Sequence, residues 1–329
     1  MSTRVFTGLK PTGRLQVGNY LGAIRPLLDL AADPDQELLV SVVDLHALTV
    51  DHDPARLRAL TLELAATLLA CGLDERASLF VHSSVPAHTE LNYLLESTAT
   101  YGEMSRMIQF KEKSRGNSSC RLSLLTYPSL MAADILAYAT EVVPVGEDQR
   151  QHLELATTLA RRFNGRYGAV FTLPRGVTPE NAARIKDLRD PTTKMGKSGT
   201  DGAGVVFLLD DPDTVAAKVR RAVTDTDPVL DYDPDGRPGV ANLAVLLGAL
   251  TGTSPDRALA GLHGAAALKS AVAEALVATL QPVQKTYADL RADPGGLLAR
   301  LRAGADAVAP IASATVARAR DAIGLLAVG

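Results

Sequence analysis

Two lysines three positions apart, Lys194 and Lys197, enclose Met195 and Gly196 and are followed by Ser198. Lysine carries a mobile point charge that suits phosphate groups. A flexible loop with two such charges can close on a triphosphate and stabilise the charge that develops during its reaction. A solvated basic loop has the same composition, so this interpretation depends on what the rest of the chain supplies.

A second candidate phosphate site lies near the start of the chain. Residues 7–22 place a loop rich in Gly and Pro between a predicted strand and a helix that opens with Gly18 and Asn19. The first strand-to-helix turn of a doubly wound sheet binds nucleotides, because free backbone N–H groups and the helix dipole attract phosphate there. A tight turn that only needs small residues is the alternative for this segment.

Carboxylates mark two further segments. Asp134 stands alone in an apolar helical stretch, 127–136, where a buried carboxylate needs a partner such as a ligand N–H donor. Glu147 and Asp148 follow a predicted strand and start a helix, at the edge of a parallel sheet where ligands bind. Exposure on a polar helix face is the alternative for Asp134, and helix capping is the alternative for the two later acids.

The elements that must position these residues alternate between strand and helix in the first half of the chain. Short apolar or β-branched runs predict strands, and longer periodic segments predict helices between them. The predicted strands span 4–7, 38–43, 79–81 and 142–145, and the predicted helices span 18–32, 54–71, 87–100, 122–139 and 148–163. This alternation predicts an α/β fold with a doubly wound parallel sheet covered by helices on both faces.

The second half of the chain is helical in pattern. Helices are predicted over 213–223, 240–251, 255–262, 266–292, 294–302 and 304–324. Three glycines between 199 and 204 interrupt the preceding pattern, so we place a domain boundary there. We therefore predict a nucleotide-binding domain over 1–204 and an all-helical C-terminal domain over 205–329.

Composition excludes several classes of protein. The 329 residues carry a net charge of −3, with 47% hydrophobic and 22% charged residues, as in ordinary folded proteins rather than disordered or strongly basic ones. The two cysteines, Cys71 and Cys120, cannot build a disulfide framework. Apolar runs are too short to span a membrane, and the first residues lack the apolar core of a secretory signal, so we expect a cytoplasmic protein without a membrane partner.

Taken in order, the four motifs resemble those of the bacterial tryptophanyl-tRNA synthetases, a family of class I aminoacyl-tRNA synthetases. Residues 16–19 stand where the family carries its variant of the class I HIGH signature, and residues 194–198 stand where it carries KMSKS. The segments that match this amino-acid specificity are 109–114, 127–136 and 145–152. The resemblance runs nearly end to end, from Phe6 to the final helix.

This resemblance implies an activity and a role for individual residues. The enzyme would activate L-tryptophan with ATP, helped by Mg²⁺, and transfer the product to tRNA(Trp); no metal bound by protein ligands is expected. The implied ATP contacts are Lys10, Pro11, Thr12, Gly18, Asn19, Gly146, Glu147, Asp148, Ile185, Lys194, Met195, Gly196, Lys197 and Ser198. The implied catalytic cations are Lys194, Lys197 and Lys113. The implied tryptophan contacts are Phe6, Met131 and Val145 around the indole, Asp134 on its N–H, Tyr127 and Gln149 at the α-ammonium, and His46. A structural histidine with no contact to the substrate is the alternative for His46. The family also implies a homodimer whose helical region reads the anticodon.

The chain departs from the family pattern at three positions. Lys10 stands where the family usually has glutamine, and its cation would lie near the ATP phosphates and the amino-acid carboxylate. We expect this charge to alter the affinity for inhibitors that mimic tryptophan. Gly196 replaces a serine, and Gln16 stands where threonine or histidine is common.

Three alternatives share many of these features. Another adenylate-forming nucleotidyltransferase would have the same nucleotide fold but no helical C-terminal domain. A tyrosine-specific synthetase is disfavoured by the pattern from Met131 to Asp134. A synthetase-like protein that binds tryptophan or a protein partner, with weak charging activity, is disfavoured by the two lysines at 194 and 197, although Lys10 and Gly196 leave room for it.

Overall fold

The computed structural model describes residues 2–73, 76–114, 120–146, 149–178, 184–196, 202–225 and 229–326. Five parallel strands form one sheet in the order β3-β2-β1-β4-β5. The strands are β1 (Thr3–Leu9), β2 (Gln36–Val42), β3 (Ser78–Val81), β4 (Val142–Pro144) and β5 (Arg175–Val177). The chain moves from β1 to one side through β2 and β3 and returns to the other side for β4, so the strand order reverses beside β1. In doubly wound sheets this reversal opens a crevice at the carboxyl ends of the strands.

Thirteen α-helices in the described residues surround the sheet or follow it. They are α1 (Val17–Asn19), α2 (Arg25–Ala31), α3 (Pro54–Leu68), α4 (Ala87–Glu96), α5 (Tyr101–Ser105), α6 (Ile108–Ser114), α7 (Leu122–Leu136), α8 (Arg150–Tyr167), α9 (Pro212–Arg220), α10 (Pro238–Thr251), α11 (Pro255–Leu259), α12 (Gly264–Ala292) and α13 (Pro294–Ile323). A π-helical turn, Tyr20–Ile24, joins α1 to α2, so these elements occupy the single helix predicted over 18–32.

The strand pattern of the sequence is confirmed for four strands, and the fifth was missed. β2 is buried from Leu38 to Val42, as its continuous apolar pattern indicates. β5 consists of Arg175, Gly176 and Val177, which are exposed or half-buried and pair only with β4 at the edge of the sheet. Three residues without apolar periodicity carry no strand signal, so only the pairing reveals this strand.

The predicted break between helices 294–302 and 304–324 is wrong, because α13 runs unbroken through Gly304. A Cβ atom at residue 304 would lie 1.9 Å from the Leu79 carbonyl oxygen of β3. This glycine therefore serves the close approach of a helix to a strand and does not end the helix. A sequence pattern cannot separate these two uses of glycine.

Alternate residues of the strands enter two hydrophobic cores on opposite faces of the sheet. Val5 and Val40 pack in one core with residues of α9, α10 and α12, while Phe6 and Leu39 pack in the other with residues of α4, α7, α8 and α13. Helices of the second half of the chain thus complete both cores. The division at residue 204 remains a prediction.

A helix that crosses a membrane needs about 20 predominantly apolar residues, and the described helices lack such a stretch. Each of them is too short or too polar to cross a bilayer.

Candidate functional site

A cavity of about 350 Å³ lies at the carboxyl ends of β1 and β4, where the strand order reverses. Its wall comes from the ends of β1 and β4, from α6 and α7, and from the segments that follow β1, β2 and β4. The described lining residues are Phe6, Thr7, Gly8, Lys10, Val43, His46, Thr49, Gln109, Lys113, Leu124, Tyr127, Met131, Asp134, Ile135, Val143, Pro144, Val145, Gly146 and Gln149. Gly8 leaves room for this arrangement, since a Cβ there would lie 2.8 Å from Val43 Cγ1.

Many of the sequence-predicted site residues meet at this one cavity, although they are far apart in the chain. Those that line it are Phe6, Lys10, His46, Lys113, Tyr127, Met131, Asp134, Val145, Gly146 and Gln149. The volume and the mixture of apolar walls with a few polar groups are typical of small-molecule sites.

Asp134 lies at the inner wall of the cavity on α7 and is 1% exposed. His46 Nε2 lies 2.7 Å from its Oδ2 atom, and His82 Nε2 lies 2.5 Å from its Oδ1 atom. Burial alone raises the pKa of Asp134, but the charges and hydrogen bonds of His82 and His46 outweigh this effect and hold that pKa well below its usual range. Asp134 is therefore an ionised acceptor in a buried setting.

His82 links Asp134 to a second buried chain of hydrogen bonds. Its backbone oxygen lies 3.1 Å from His88 Nδ1, and the Tyr138 hydroxyl lies 2.6 Å from His88 Nε2. Burial lowers the pKa of His88 to about 4, so its ring is neutral. Because the backbone oxygen can only accept, His88 carries its proton on Nδ1, and its Nε2 accepts a hydrogen bond from the Tyr138 hydroxyl.

One ligand atom each from His46, His82 and Asp134 lies within 4.8 Å of the others, which is a possible metal-ligand set. The two histidine-to-carboxylate distances, 2.7 and 2.5 Å, are hydrogen-bond distances. Two donors that each lie about 2.0–2.2 Å from one zinc ion are roughly 3 Å or more apart. The geometry is thus that of a hydrogen-bonded carboxylate.

Two lysines supply positive charge to the cavity. Lys10 Nζ donates to Thr49 Oγ1 at 3.2 Å, and Lys113 Nζ donates to Gln109 Oε1 at 3.4 Å. Burial, followed by repulsion from Lys113, lowers the pKa of Lys10. Two cations that repel one another across a cavity favour an anion between them.

Tyr127 occupies the cavity wall beside these groups. Its hydroxyl lies 3.2 Å from Gln109 Oε1 and 2.5 Å from His152 Nε2. Burial raises the pKa of Tyr127, so the phenol stays protonated and can act as a hydrogen-bond donor. Gln149, at the start of α8, lines the same cavity.

The two class I signature segments contact each other outside the cavity lining. Gln16 is 3% exposed; its Nε2 donates to the Met195 backbone oxygen at 2.9 Å, and its Oε1 accepts from the Gly18 N–H. The Asn19 side chain accepts from the Gln16 N–H at 3.2 Å. Gln16 therefore fastens the Lys194–Gly196 segment to the start of α1.

Other predicted ATP contacts lie apart from the cavity lining or outside the described residues. Ile185 is buried, its backbone oxygen accepts from the Met195 N–H at 3.0 Å, and the Lys194 side chain is exposed. Pro11, Thr12, Gly18, Asn19, Ile185, Lys194, Met195 and Gly196 are described but are not among the lining residues. Glu147, Asp148, Lys197 and Ser198 lie outside the described residues. The role of each in ATP binding remains a prediction.

Sequence reasoning missed four side chains that form hydrogen bonds with residues of the predicted cavity site: His82, Thr49, Gln109 and His152. A positional signal existed for His82. It directly follows β3, His46 comes four residues after the end of β2, and parallel strands bring their carboxyl ends to one edge. Thr49 and Gln109 lie in short helices whose orientation has no such signal.

The family model, the related sequences and the related structures all point to one family of proteins. A family model described as tRNA synthetases class I (W and Y) matches residues 1–281. Tryptophan–tRNA ligase 1 of Streptomyces coelicolor is 54% identical over 331 residues, which cover 98% of each chain. The tryptophanyl-tRNA synthetase from Mycoplasma pneumoniae superposes with a TM-score of 0.85 at 36% identity over 99% of each chain. The enzyme from Campylobacter jejuni, solved with ADP and tryptophan, gives a TM-score of 0.85 at 29% identity over 98% of this chain and 100% of its own.

Proposed function

The chain belongs to the class I tRNA synthetases for tryptophan and tyrosine, and from that premise we propose that it is a tryptophan–tRNA ligase. It activates L-tryptophan with ATP and transfers the tryptophanyl group to tRNA(Trp). The observation that carries the proposal is the cavity beside β1, which joins a buried ionised carboxylate, apolar walls and two lysines at the nucleotide edge of the sheet.

The amino acid occupies the inner part of this cavity in the proposal. Phe6, Met131 and Val145 pack against the indole ring, and Asp134 accepts its N–H. Such a polar contact rejects analogues that lack the N–H, because they leave the buried acceptor unpaired.

The polar end of the amino acid faces the other cavity residues. Tyr127 and Gln149 bind the α-ammonium group, and His46 lies against the substrate from the side of β2. These assignments are supported by the positions of all three side chains in the cavity wall.

In the first step a carboxylate oxygen of tryptophan attacks the α-phosphorus of ATP. The bond from that phosphorus to the bridging oxygen breaks, and pyrophosphate leaves with the electron pair. Lys10 and Lys113 face the phosphates and offset their charge, together with Lys194 and Lys197 from the signature loop. The protein thus contributes mainly orientation and charge stabilisation.

Mg²⁺ enters this scheme as the complex with ATP. Of the described residues that line the cavity only Asp134 is acidic, and it lies at the inner wall, where the proposal places the indole. Phosphate oxygens and water are therefore the ligands available to Mg²⁺ there, which suits its preference for keeping several waters.

In the second step a hydroxyl of the terminal tRNA ribose attacks the tryptophanyl carbonyl carbon, and AMP leaves. The helical second half of the chain reads the anticodon in this proposal, and the enzyme acts in the cytoplasm.

We also propose a homodimer. The exposed side chains of Tyr93, Tyr101, Ile108 and Leu122, which fall in one stretch of α4 to α7, support a protein contact there.

The test is pyrophosphate–ATP exchange that depends on an added amino acid, followed by charging of purified tRNA. We expect exchange with tryptophan, little with tyrosine, and charging of tRNA(Trp). Exchange that responds equally to tyrosine, or no exchange with either amino acid, would overturn the assignment.

A further inference from the structure

His82 lies directly behind the carboxylate that the proposal assigns to the indole. It begins the turn that follows β3, and it is fully buried. Its Nε2 atom lies 2.5 Å from Asp134 Oδ1, while His46 takes the other carboxylate oxygen. His46 lines the cavity, whereas His82 is not among the described residues that do so. His82 therefore reaches the substrate only through Asp134.

The hydrogen bonds of the His82 ring also lead only to Asp134. An ionised carboxylate can only accept, so His82 Nε2 carries a proton and donates it to Asp134. The other ring nitrogen, Nδ1, is buried and has no hydrogen-bond partner among the described residues. The ring thus has one hydrogen-bond partner in the described part of the chain, and that partner is Asp134.

The carboxylate keeps capacity for a further donor. Its two oxygens offer about four acceptor positions, and the two histidines occupy one on each oxygen. Both histidine contacts also restrict rotation of the carboxylate, which would otherwise turn about its terminal bond. A fixed carboxylate directs its remaining lone pairs in set directions.

We infer that His82 is a positioning residue for amino-acid recognition: its Nε2–H fixes the Asp134 carboxylate so that a free lone pair meets the indole N–H. The inference rests on the proposed function and adds a residue to it. It assigns His82 a role in selecting tryptophan over analogues that cannot donate from the ring.

The charge on His82 depends on the groups around it. Asp134 on α7 and Asp44 after β2 face it as acids, and the rings of His46 and His88 lie beside it, with centroids 5.4 and 4.1 Å away. Burial lowers the pKa of His82, but the Asp134 carboxylate outweighs burial and raises that pKa above its ordinary value. A charged donor binds a carboxylate more strongly than a neutral one, so the hold on Asp134 weakens as pH rises through this pKa.

Two substitutions separate positioning from folding. His82→Gln keeps an N–H donor but removes the charge, and His82→Ala removes the donor. The control is His52→Gln, which makes the same exchange at an exposed residue away from the cavity. We expect His82→Ala to raise the KM for tryptophan roughly 10-fold or more with a smaller change in kcat, and His82→Gln to restore most of the loss at neutral pH.

The decisive readout is selectivity, measured with the tryptophan analogue in which sulfur replaces the ring N–H. We expect His82→Ala to weaken the binding of tryptophan, seen as a higher KM. The inhibition constant of the analogue should stay nearly unchanged, because the analogue makes no hydrogen bond to Asp134. Equal weakening of both compounds in folded His82→Ala would mean a general packing role and would overturn the inference.

The pH profile gives a second readout that does not need the alanine variant to fold. Between pH 6 and 8.5, an interval that begins near the ordinary histidine pKa of about 6.5 and extends about two units above it, the KM of the wild type for tryptophan should rise with pH, and that of His82→Gln should stay flat. Parallel profiles for the two proteins would overturn the role of His82. Absence of tryptophan-dependent exchange in the wild type would instead overturn the proposed function, so the two failures are distinguishable.

Discussion

Replacing Gly304 with alanine tests how α13 is held against the sheet. The new Cβ would lie 1.9 Å from the Leu79 carbonyl oxygen and 2.7 Å from its carbonyl carbon, and both are backbone atoms that cannot rotate away. The helix must therefore move by more than 1 Å before the contact reaches 3.0 Å, the lower limit of real Cβ contacts.

The change in the free energy of unfolding can be estimated from two opposing effects. Overpacking of a tight interface typically costs about 1–3 kcal/mol, and alanine returns at most about 1 kcal/mol through its helix propensity. The clash involves backbone on both sides, which places the cost in the upper part of the range. We expect Gly304→Ala to lower the free energy of unfolding by about 1–2 kcal/mol.

The assay is urea unfolding of the wild type and two glycine variants. Gly165→Ala on α8 is the matched control, because nothing lies within 4 Å of its added Cβ. This control should gain about 0.5–1 kcal/mol from helix propensity. If Gly304→Ala proves as stable as Gly165→Ala, the close approach of α13 to β3 is refuted.

Two further predictions concern charge. Lys10→Gln leaves Lys113 as the lysine of the described cavity wall. We therefore expect the KM for ATP to rise about 10-fold and inhibition by tryptophan mimics to change. Unchanged exchange kinetics and equal inhibition of both proteins would contradict this. The guanidinium of Arg162 lowers the pKa of Glu103 to about 2, so this pair stabilises the fold above pH 4.5 and its contribution is lost as pH falls toward 2. Glu103→Gln should therefore cost about 1 kcal/mol at pH 7, discounted for solvent screening, and little once the pH has fallen below about 2; a constant difference in urea unfolding across that range would refute the assignment.

The meeting of many predicted residues at one cavity was predictable, because a parallel sheet brings the ends of its strands to one edge. Asp134 stood out as a carboxylate in an apolar helix, and the carboxyl ends of parallel strands had to meet at one edge. The resemblance to tryptophanyl-tRNA synthetases, drawn from motifs and their order, is confirmed by the family model and by full-length relatives.

Other features depend on contacts that have no local pattern. The strand Arg175–Val177 exists because it pairs with β4, and Gly304 lies inside a helix because a strand passes close by. The contact of Lys10 with Thr49 and of His82 with Asp134 joins residues 39 and 52 positions apart. Such pairs follow from the path of the chain in space and not from spacing along it.

The most direct test of the central claim is a binding titration with tryptophan. The chain contains no tryptophan, so the added amino acid is the only indole fluorophore. We predict saturable binding to the wild type and binding at least about 10-fold weaker to Asp134→Asn, which loses the charged acceptor but keeps the shape of the side chain. Equal binding by the two proteins would contradict the assignment of Asp134 to the indole N–H.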